Sequence, residues 1–180
     1  MAMYLFTSER LGFRNWQDRD MKPFAAMNAD PKVLEFFPSL LSEDQSNASV
    51  HRFKDHFSEQ GFTFFAVDTL NDQAFIGFIG LYRISFESFF TPGIEIGWRL
   101  AKGVWGKGYA TEGALTCLAF AFERLGERQI YSFTALQNKR SERVMQKIGM
   151  ERIGEFDHPK VPAESGLRKH VLYKIEKTAS

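Results

Sequence analysis

The stretch Gly103–Gly113, GVWGKGYATEG, places four glycines, a tryptophan and a lysine between two apolar runs. The run before it, IEIGWRL (residues 94–100), is typical of a strand, and the run after it has apolar residues at helical spacing up to Gly126. Glycines let a backbone approach a ligand closely, and the first N–H groups of a helix lack intrahelical acceptors. The stretch therefore predicts a site for an anion such as a diphosphate, to which Lys107 adds a positive charge.

Two well-known phosphate-binding loops do not fit this stretch. A P-loop continues from its second glycine with lysine and then serine or threonine, whereas Tyr109 and Ala110 follow Gly108 here. A dinucleotide-binding turn has a third glycine at the position of Thr111 and an acidic residue near the end of the next strand, which here ends in TALQN. Both alternatives therefore fail on residue chemistry.

The rest of the chain predicts a mixed sheet. We expect a first strand in YLFTSERLGFRNW, a helix in DRDMKPFAAMNAD, a short helical piece from Asp30-Pro31 and a helix begun by a capping box of Ser42 and Gln45. A strand meander follows at 62–68, 74–84 and 94–100, and then a helix, a strand at 129–136, a helix from Asn138 to Gly149, and strands in MERIGEF and RKHVLYKIEK. The fold class is therefore α+β, with helices on both faces of the sheet and one parallel strand pair joined by a helix.

Composition excludes several classes of protein. The 180 residues, with a net charge of +1, fit one domain over residues 1–180 that binds neither nucleic acid nor membrane. Cys117 is the sole cysteine, so the chain has no internal disulfide, and its apolar helix favours a core position over a nucleophile. No His, Cys or acidic cluster has metal-site spacing, so we expect no metal. The chain carries no signal-peptide pattern and no long apolar run, and we expect a soluble cytoplasmic protein.

The segment Trp105–Ala110, WGKGYA, resembles the Gln/Arg-x-x-Gly-x-Gly/Ala loop of the GNAT acyltransferases, which holds the diphosphate of acetyl-CoA. Trp105 in place of Gln or Arg resembles the ribosomal-protein N-terminal acetyltransferase branch, the RimJ/RimL-like group, where W-G-x-G-Y-A-T-E is common. IEIGWRL, NKRSERVMQKIGM and FDHPKVP…LRKHVLY are similar to other parts of that branch, so the resemblance covers residues 10–173. It implies a mostly antiparallel, centrally splayed sheet of six to seven strands.

The resemblance also implies a donor site for acetyl-CoA as co-substrate. The backbone of Trp98, Arg99 and Leu100 would pair with the pantetheine arm. Gly97 fits a bulge that opens this strand away from the next, and the alternative is an ordinary strand glycine. Asn138 and Ser141 would contact the CoA arm, although both also suit the first turn of a helix. The expected diphosphate loop comprises Trp105, Gly106, Lys107, Gly108, Tyr109, Ala110 and Thr111.

Glu95 is the candidate general base. A carboxylate in a mostly apolar strand is costly unless it is exposed or used, and Ile94 and Ile96 point to the opposite face. Partial burial would raise its pKa toward the range that suits proton abstraction. The alternative is an acid that only hydrogen-bonds or faces solvent. By resemblance, Ser141 is the candidate general acid, because Met145 stands where many members of the family have a tyrosine.

We expect the acceptor to be an amine, most simply the α-amine of a peptide or protein N-terminus. An α-amine has a pKa near 8 against about 10.4 for lysine, so it demands less of the base. An acetyltransferase for a polyamine, amino acid or antibiotic, and a non-catalytic acyl-CoA-binding module, stay open as alternatives. Residues 35–45, EFFPSLLSEDQ, are expected to form the acceptor wall, although Phe36, Phe37 and Leu40 equally suit a core. The oligomeric state is expected to be a monomer or a homodimer.

Overall fold

The computed structural model describes residues 3–178. Its strands are β1 (Phe6–Thr7), β2 (Leu11–Arg14), β3 (Phe64–Thr69), β4 (Phe75–Arg83), β5 (Ile94–Leu100), β6 (Gln129–Ala135), β7 (Glu151–Asp157) and β8 (Lys169–Glu176). Its α-helices are α1 (Met21–Asn28), α2 (Glu43–Gln60), α3 (Tyr109–Glu123) and α4 (Lys139–Lys147). Short 3-10 helices cover Asp18–Asp20 and Lys102–Val104.

All eight described strands form one sheet in the order β1-β2-β3-β4-β5-β6-β8-β7. Every neighbouring pair is antiparallel except β5 and β6, which α3 connects as a parallel pair. Residues of α3 and α4 pack on one face in the largest apolar cluster, and α1 and α2 pack on the other face in a second cluster. The predicted α+β class, with helices on both faces, is therefore confirmed.

The strand count of six to seven was too low. The segment predicted as one first strand folds into the hairpin of β1 and β2, because the chain turns at residues 8–10 and Phe6 comes to lie opposite Phe13. The piece from Asp30-Pro31 is a run of turns rather than a helix, with Val33 N–H bonded to Asp30 at 3.1 Å. The capping box of Ser42 and Gln45 is present as predicted.

The strands β5 and β6 separate almost as soon as they meet. Within the described residues, Glu95 opposite Tyr131 is the single register pair between them. The Ser132 hydroxyl donates to the Ile96 carbonyl at 3.0 Å and closes the apex of the resulting cleft. The predicted bulge at Gly97 is wrong, because β5 keeps a regular register with β4 throughout, with Gly97 opposite Gly80. The cleft opens because β6 diverges, not because β5 is bulged.

A buried ionic cluster fixes the N-terminal end of the sheet. The guanidinium of Arg14, 2% exposed, donates to both Asp20 oxygens at 2.7 and 2.9 Å and to both Asp68 oxygens at 2.6 and 2.7 Å. The cluster joins β2, β3 and the 3-10 helix that leads into α1. Arg19 adds a second, longer ion pair to Asp68 at 3.8 Å, so the two buried carboxylates are compensated by two cations, as burial of charge requires.

Among the helices described for residues 3–178, none has the length and apolar character that a membrane crossing demands.

Candidate active site

Glu95 lies at the apex of the cleft between β5 and β6. Ile94 and Ile96 enter the core beneath α3, so alternation along the strand directs Glu95 to the face that carries α1 and α2. Across the strands it faces Tyr82 of β4 and Tyr131 of β6. Glu95 therefore points away from Ile94 and Ile96, as the alternation of the strand predicted.

Burial raises the pKa of Glu95 from 4.5 to about 8. Lys160, in the connection between β7 and β8, acts in the opposite direction and lowers this pKa. The ammonium of Lys160 is held by the Ser85 hydroxyl at 2.6 Å. A carboxylate with this pKa accepts a proton from an amine near neutral pH far better than an ordinary glutamate does. Lys160 was not among the candidates, because sequence separation hides its proximity to Glu95.

The open edge of β5 presents the backbone N–H and C=O of Trp98 to the cleft. Gly93 and Ala101 bond to β4 through the pairs Ile84 N–Gly93 O and Ala101 N–Ile76 O, so the odd-numbered residues of β5 point their backbone groups at β4. The even-numbered residues therefore point theirs at the cleft. On that side, the Ile96 carbonyl accepts a hydrogen bond from the Ser132 hydroxyl, and the Leu100 carbonyl accepts one from the Trp105 indole N–H. The N–H and C=O of Trp98 lie between these two.

The glycine-rich loop is a concave turn of backbone at the start of α3. Gly106 and Gly108 have φ values of 76° and 82°, a left-handed conformation that strains other residues. Gly108 is the N-cap of α3 and supplies no side-chain acceptor to the helix N–H groups. Successive N–H groups in such a turn form an anion nest, and the helix dipole strengthens it. Lys107 lies exposed between the two glycines.

The Trp105 side chain packs back against the end of β5. Its indole N–H donates to the Leu100 carbonyl at 2.8 Å, which ties the loop back to the end of β5. Arg140 of α4 lies over the Trp105 ring at 4.3 Å and bonds to Glu35 at 2.8 Å. Trp105 therefore positions the loop and links it to α4 and to the segment before α2.

A second brace holds the loop from the N-terminal hairpin. The Glu112 carboxylate accepts from the Ser8 hydroxyl at 2.6 Å, the Arg10 N–H at 2.8 Å and Arg10 Nε at 2.6 Å. Arg10 also donates to the Lys107 carbonyl at 3.0 Å. Partial burial would raise the pKa of Glu112, but these hydrogen bonds lower it. Glu112, the last residue of the W-G-x-G-Y-A-T-E motif, therefore has a structural role. The sequence pattern does not indicate this role, because its partners Ser8 and Arg10 are distant in the chain.

Asn138 and Ser141 lie together in the first turn of α4. Asn138 Oδ1 accepts from the Ser141 N–H at 3.2 Å, and its Nδ2 donates to Thr134 at 2.9 Å and to the Ser141 hydroxyl at 3.1 Å. The amide of Asn138 is therefore engaged as a helix cap. The Ser141 hydroxyl accepts this bond and keeps its own proton for another acceptor.

Exposed apolar side chains lie in the segment before α2 and in the loop after β4. Phe37 and Leu40 are 42% and 45% exposed, so they are not core residues, and Phe89 in the loop after β4 is 72% exposed. An open groove runs along that loop between Ile84 and Pro92. Cys117, by contrast, is buried under the sheet as predicted. Among residues 3–178, no three His, Cys, Asp or Glu side chains gather as a metal site would require.

The sequence pattern that defines the family described as "Acetyltransferase (GNAT) domain" matches residues 10–151. The chain belongs to the GNAT acetyltransferase family. A Bacillus subtilis (strain 168) protein, "Uncharacterized N-acetyltransferase YnaD", is 30% identical over 151 residues, which cover 83% of this chain and 84% of that protein. Membership and this relative make the chain an acetyltransferase enzyme, and the GNAT family uses acetyl-CoA and an amine acceptor.

Solved structures agree on the GNAT fold. A GNAT-family acetyltransferase from Bacillus anthracis superposes with a TM-score of 0.78 at 25% identity, over 94% of this chain and 96% of that one. Ribosomal-protein-S5-alanine acetyltransferase from Vibrio fischeri gives 0.74 at 15% identity, with 95% of each chain covered. Spermidine N-acetyltransferase from Vibrio cholerae, solved with CoA and spermine, gives 0.72 at 18% identity, over 92% and 95%. The last two likenesses concern the fold alone.

Proposed function

We propose that this protein is a RimJ/RimL-like enzyme. It transfers the acetyl group of acetyl-CoA to the α-amine of a peptide or protein N-terminus. The observation that carries the proposal is the position of Glu95 at the apex of the β5–β6 cleft, where burial raises its pKa to about 8, near that of an α-ammonium group. Proton transfer between groups of equal pKa is nearly thermoneutral. A lysine side chain, with a pKa near 10.4, would oppose the same transfer by about 3 kcal/mol.

The residues present fit acetyl-CoA. The backbone nest at Gly106 and Gly108 suits a diphosphate, because its N–H groups and the helix N-terminus attract an anion. Both positions have a left-handed φ at which a side chain would be strained. The backbone N–H and C=O of Trp98 suit the amides of a pantetheine arm, which would extend the sheet by one short strand. Lys107 adds positive charge beside the nest. When bound, acetyl-CoA supplies an activated acetyl thioester for attack by the amine.

In this proposal the chain's own residues orient the reactants and move one proton. Trp98 holds the donor along the cleft, and Glu95 at its apex removes the proton from the incoming amine, directly or through a water. The Ser141 hydroxyl, with its proton free, lies in the first turn of α4 as a donor to the departing thiolate. A thiol pKa near 8.5 makes this step undemanding, so loss of Ser141 should matter less than loss of Glu95.

A direct test is an acceptor screen with purified protein and acetyl-CoA. Thiol release is followed with amidated peptides of varied N-terminus, polyamines, amino acids and aminoglycosides, and mass spectrometry locates the acetyl group. We expect acceptor-dependent release with α-amines and acetylation at the N-terminus. CoA binding with no acceptor-dependent release across the panel would instead favour a non-catalytic acyl-CoA-binding module. Release with polyamines alone would favour the small-molecule alternative.

We also expect the protein to act in the cytoplasm, since the described chain has one buried cysteine and needs no oxidising compartment. The oligomeric state is expected to be a monomer or a homodimer, which light scattering would decide.

A further inference from the structure

Arg99 is a partly buried cation that the fold leaves incompletely satisfied. Arg99 is four residues after Glu95 in β5, so the alternation of a strand places both side chains on the same face. Within the described chain its guanidinium makes one hydrogen bond, from Nη1 to Asn28 Oδ1 at 2.9 Å, and its Nε is buried with no partner. Its surroundings contrast with those of Arg14, which holds two carboxylates.

The remaining contacts of Arg99 are aromatic. The Phe37 ring covers the guanidinium at 4.4 Å, and the Phe78 ring lies 5.4 Å away. Phe37 belongs to the turn segment before α2 and is itself 42% exposed, so it is not part of the core. Burial lowers the pKa of Arg99 from 12.5 to about 10, and the group therefore still carries its charge at neutral pH.

An aromatic row connects Arg99 to Glu95. Phe78 faces Arg99 across the strands, and Tyr82 faces Glu95. Phe64 fills the space between them, stacked on Phe78 at 4.8 Å and on Tyr82 at 5.1 Å. The row follows β5 for four residues, about 13 Å at the ordinary rise of a strand. It ends in the carboxyl group at one end and the guanidinium at the other.

A buried cation without an anion costs free energy, and the cost is recovered when an anion arrives. We propose that Arg99 is a specificity residue that binds a carboxylate of the acceptor, while the amine of the same acceptor is placed at Glu95. This inference rests on the proposed function and names its substrate class. The acceptor is an amine that also bears a carboxylate, with an apolar stretch lying along the aromatic row.

The same charge disfavours polyamine acceptors, because a second ammonium group would meet the guanidinium. The carboxylate has two sources, an acidic side chain near the N-terminus of a peptide or the C-terminal carboxylate of a short peptide. Both present the same group to Arg99, and matched acceptor pairs separate them.

The experiment compares acceptors that differ only in charge. Alanyl-leucyl-glutamyl-alanine amide is compared with alanyl-leucyl-glutaminyl-alanine amide for the side-chain source, and alanyl-leucyl-alanine with alanyl-leucyl-alanine amide for the C-terminal source. We expect the carboxylate member of one pair to have a kcat/KM at least about tenfold higher, the size of a charge-assisted contact. The Arg99→Met variant should reduce this ratio below about threefold, and Arg99→Lys should keep part of it.

Two further variants make the test specific. Asn28→Asp places a carboxylate directly on Arg99, so it should abolish the preference even though the arginine is present. Arg124→Met removes a positive charge at the exposed C-terminal end of α3 and should leave the preference unchanged. The CoA affinity of Arg99→Met, measured by calorimetry, should stay within about threefold, because β5 meets the donor through its backbone.

A binding measurement needs no turnover. The unfolding temperature of the CoA-loaded protein is recorded with N-acetyl-alanyl-leucyl-glutamic acid amide against its glutamine counterpart, and with N-acetyl-alanyl-leucyl-alanine against its C-terminal amide. Stabilisation by a carboxylate ligand alone, lost in Arg99→Met, supports the inference even if the acceptor screen fails. Equal stabilisation by both members of each pair, a preference that survives in Arg99→Met, or a large loss of CoA affinity in that variant would overturn it. Absence of acetyl transfer to every acceptor, with charge-dependent stabilisation retained, would instead overturn the proposed function.

Discussion

Glu95 and Tyr131 lie directly opposite each other at the point where β5 and β6 part. The carboxyl group is therefore next to the cleft and yet held by strands on both sides. A reactive group at the apex of a splayed strand pair combines partial burial, which raises its pKa, with access to a ligand that enters between the strands.

Replacing Glu95 with glutamine should slow turnover by about 100-fold or more, the usual contribution of a general base. Acetyl-CoA affinity should change little, because the side chain lies on the acceptor face. In the parent enzyme kcat should rise with pH through about 8, as Glu95 loses its proton. The variant should lack this rise. Glu123→Gln, an exposed change at the end of α3, is the matched control; a parental profile in Glu95→Gln would remove Glu95 from the mechanism.

Replacing Lys160 with methionine should move the midpoint of the kcat profile to higher pH. The positive charge of Lys160 lowers the pKa of Glu95, so its removal raises that pKa and less base is available at neutrality. The check is a kcat–pH series with Lys147→Met, on the exposed end of α4, as control. A midpoint that moves down, or does not move, would contradict the electrostatic role.

Glu95 should also make stability depend on pH. Between its ordinary value of 4.5 and about 8, the unfolded chain releases a proton that the folded chain keeps. The contribution of a raised acid pKa is therefore complete at low pH and is lost as pH rises through this window. Thermal unfolding from pH 4 to 9 should show Glu95→Gln gaining stability relative to the parent as pH rises. A constant difference across the range would mean that Glu95 titrates normally.

Gly108→Asp should remove most of the CoA affinity. A side chain at φ of 82° is strained and approaches Arg10 at 3.4 Å, and the new carboxylate repels the diphosphate. Gly103→Asp is the matched control, because that position is open and has no left-handed φ. It introduces the same charge and should keep clearly more of the affinity in calorimetry. Equal affinity for Gly108→Asp and the parent would place the donor elsewhere.

Asp68→Asn should destabilise the fold by about 3 to 5 kcal/mol, because it leaves Arg14 with half of its buried anionic partners. Urea unfolding measures the loss. Asp18→Asn, which removes an exposed partner of Lys54 at 3.4 Å, should cost well under 1 kcal/mol. Similar losses in the two variants would show that burial of the cluster carries little energy.

Local patterns predicted the parts of this molecule that local chemistry determines. The capping box at Ser42, the helix start at Asn138 and the strand at 94–100 all follow from neighbouring residues. The hairpin of β1 and β2 was predicted as one strand, because a short polar turn inside an alternating run keeps the appearance of a strand.

Features that depend on distant parts of the chain were not predictable in this way. The brace from Arg10 to Glu112 and the proximity of Lys160 to Glu95 join residues far apart in sequence. For Arg99 the expectation concerned its backbone, whereas its side chain meets Asn28 and Phe37 from a segment whose path no local pattern specifies. The splay itself was predicted, but its cause was assigned to Gly97 rather than to the path of β6.

The brace between Ser8 and Glu112 also sets an order for synthesis. These residues leave the ribosome 104 positions apart, so the turn between β1 and β2 gains this contact only after the start of α3 has emerged. At ordinary elongation rates that interval is on the order of 5 to 20 seconds. A nascent chain therefore cannot complete its diphosphate loop early, and a ribosome stalled before residue 112 should carry a chain that no CoA concentration protects from proteolysis.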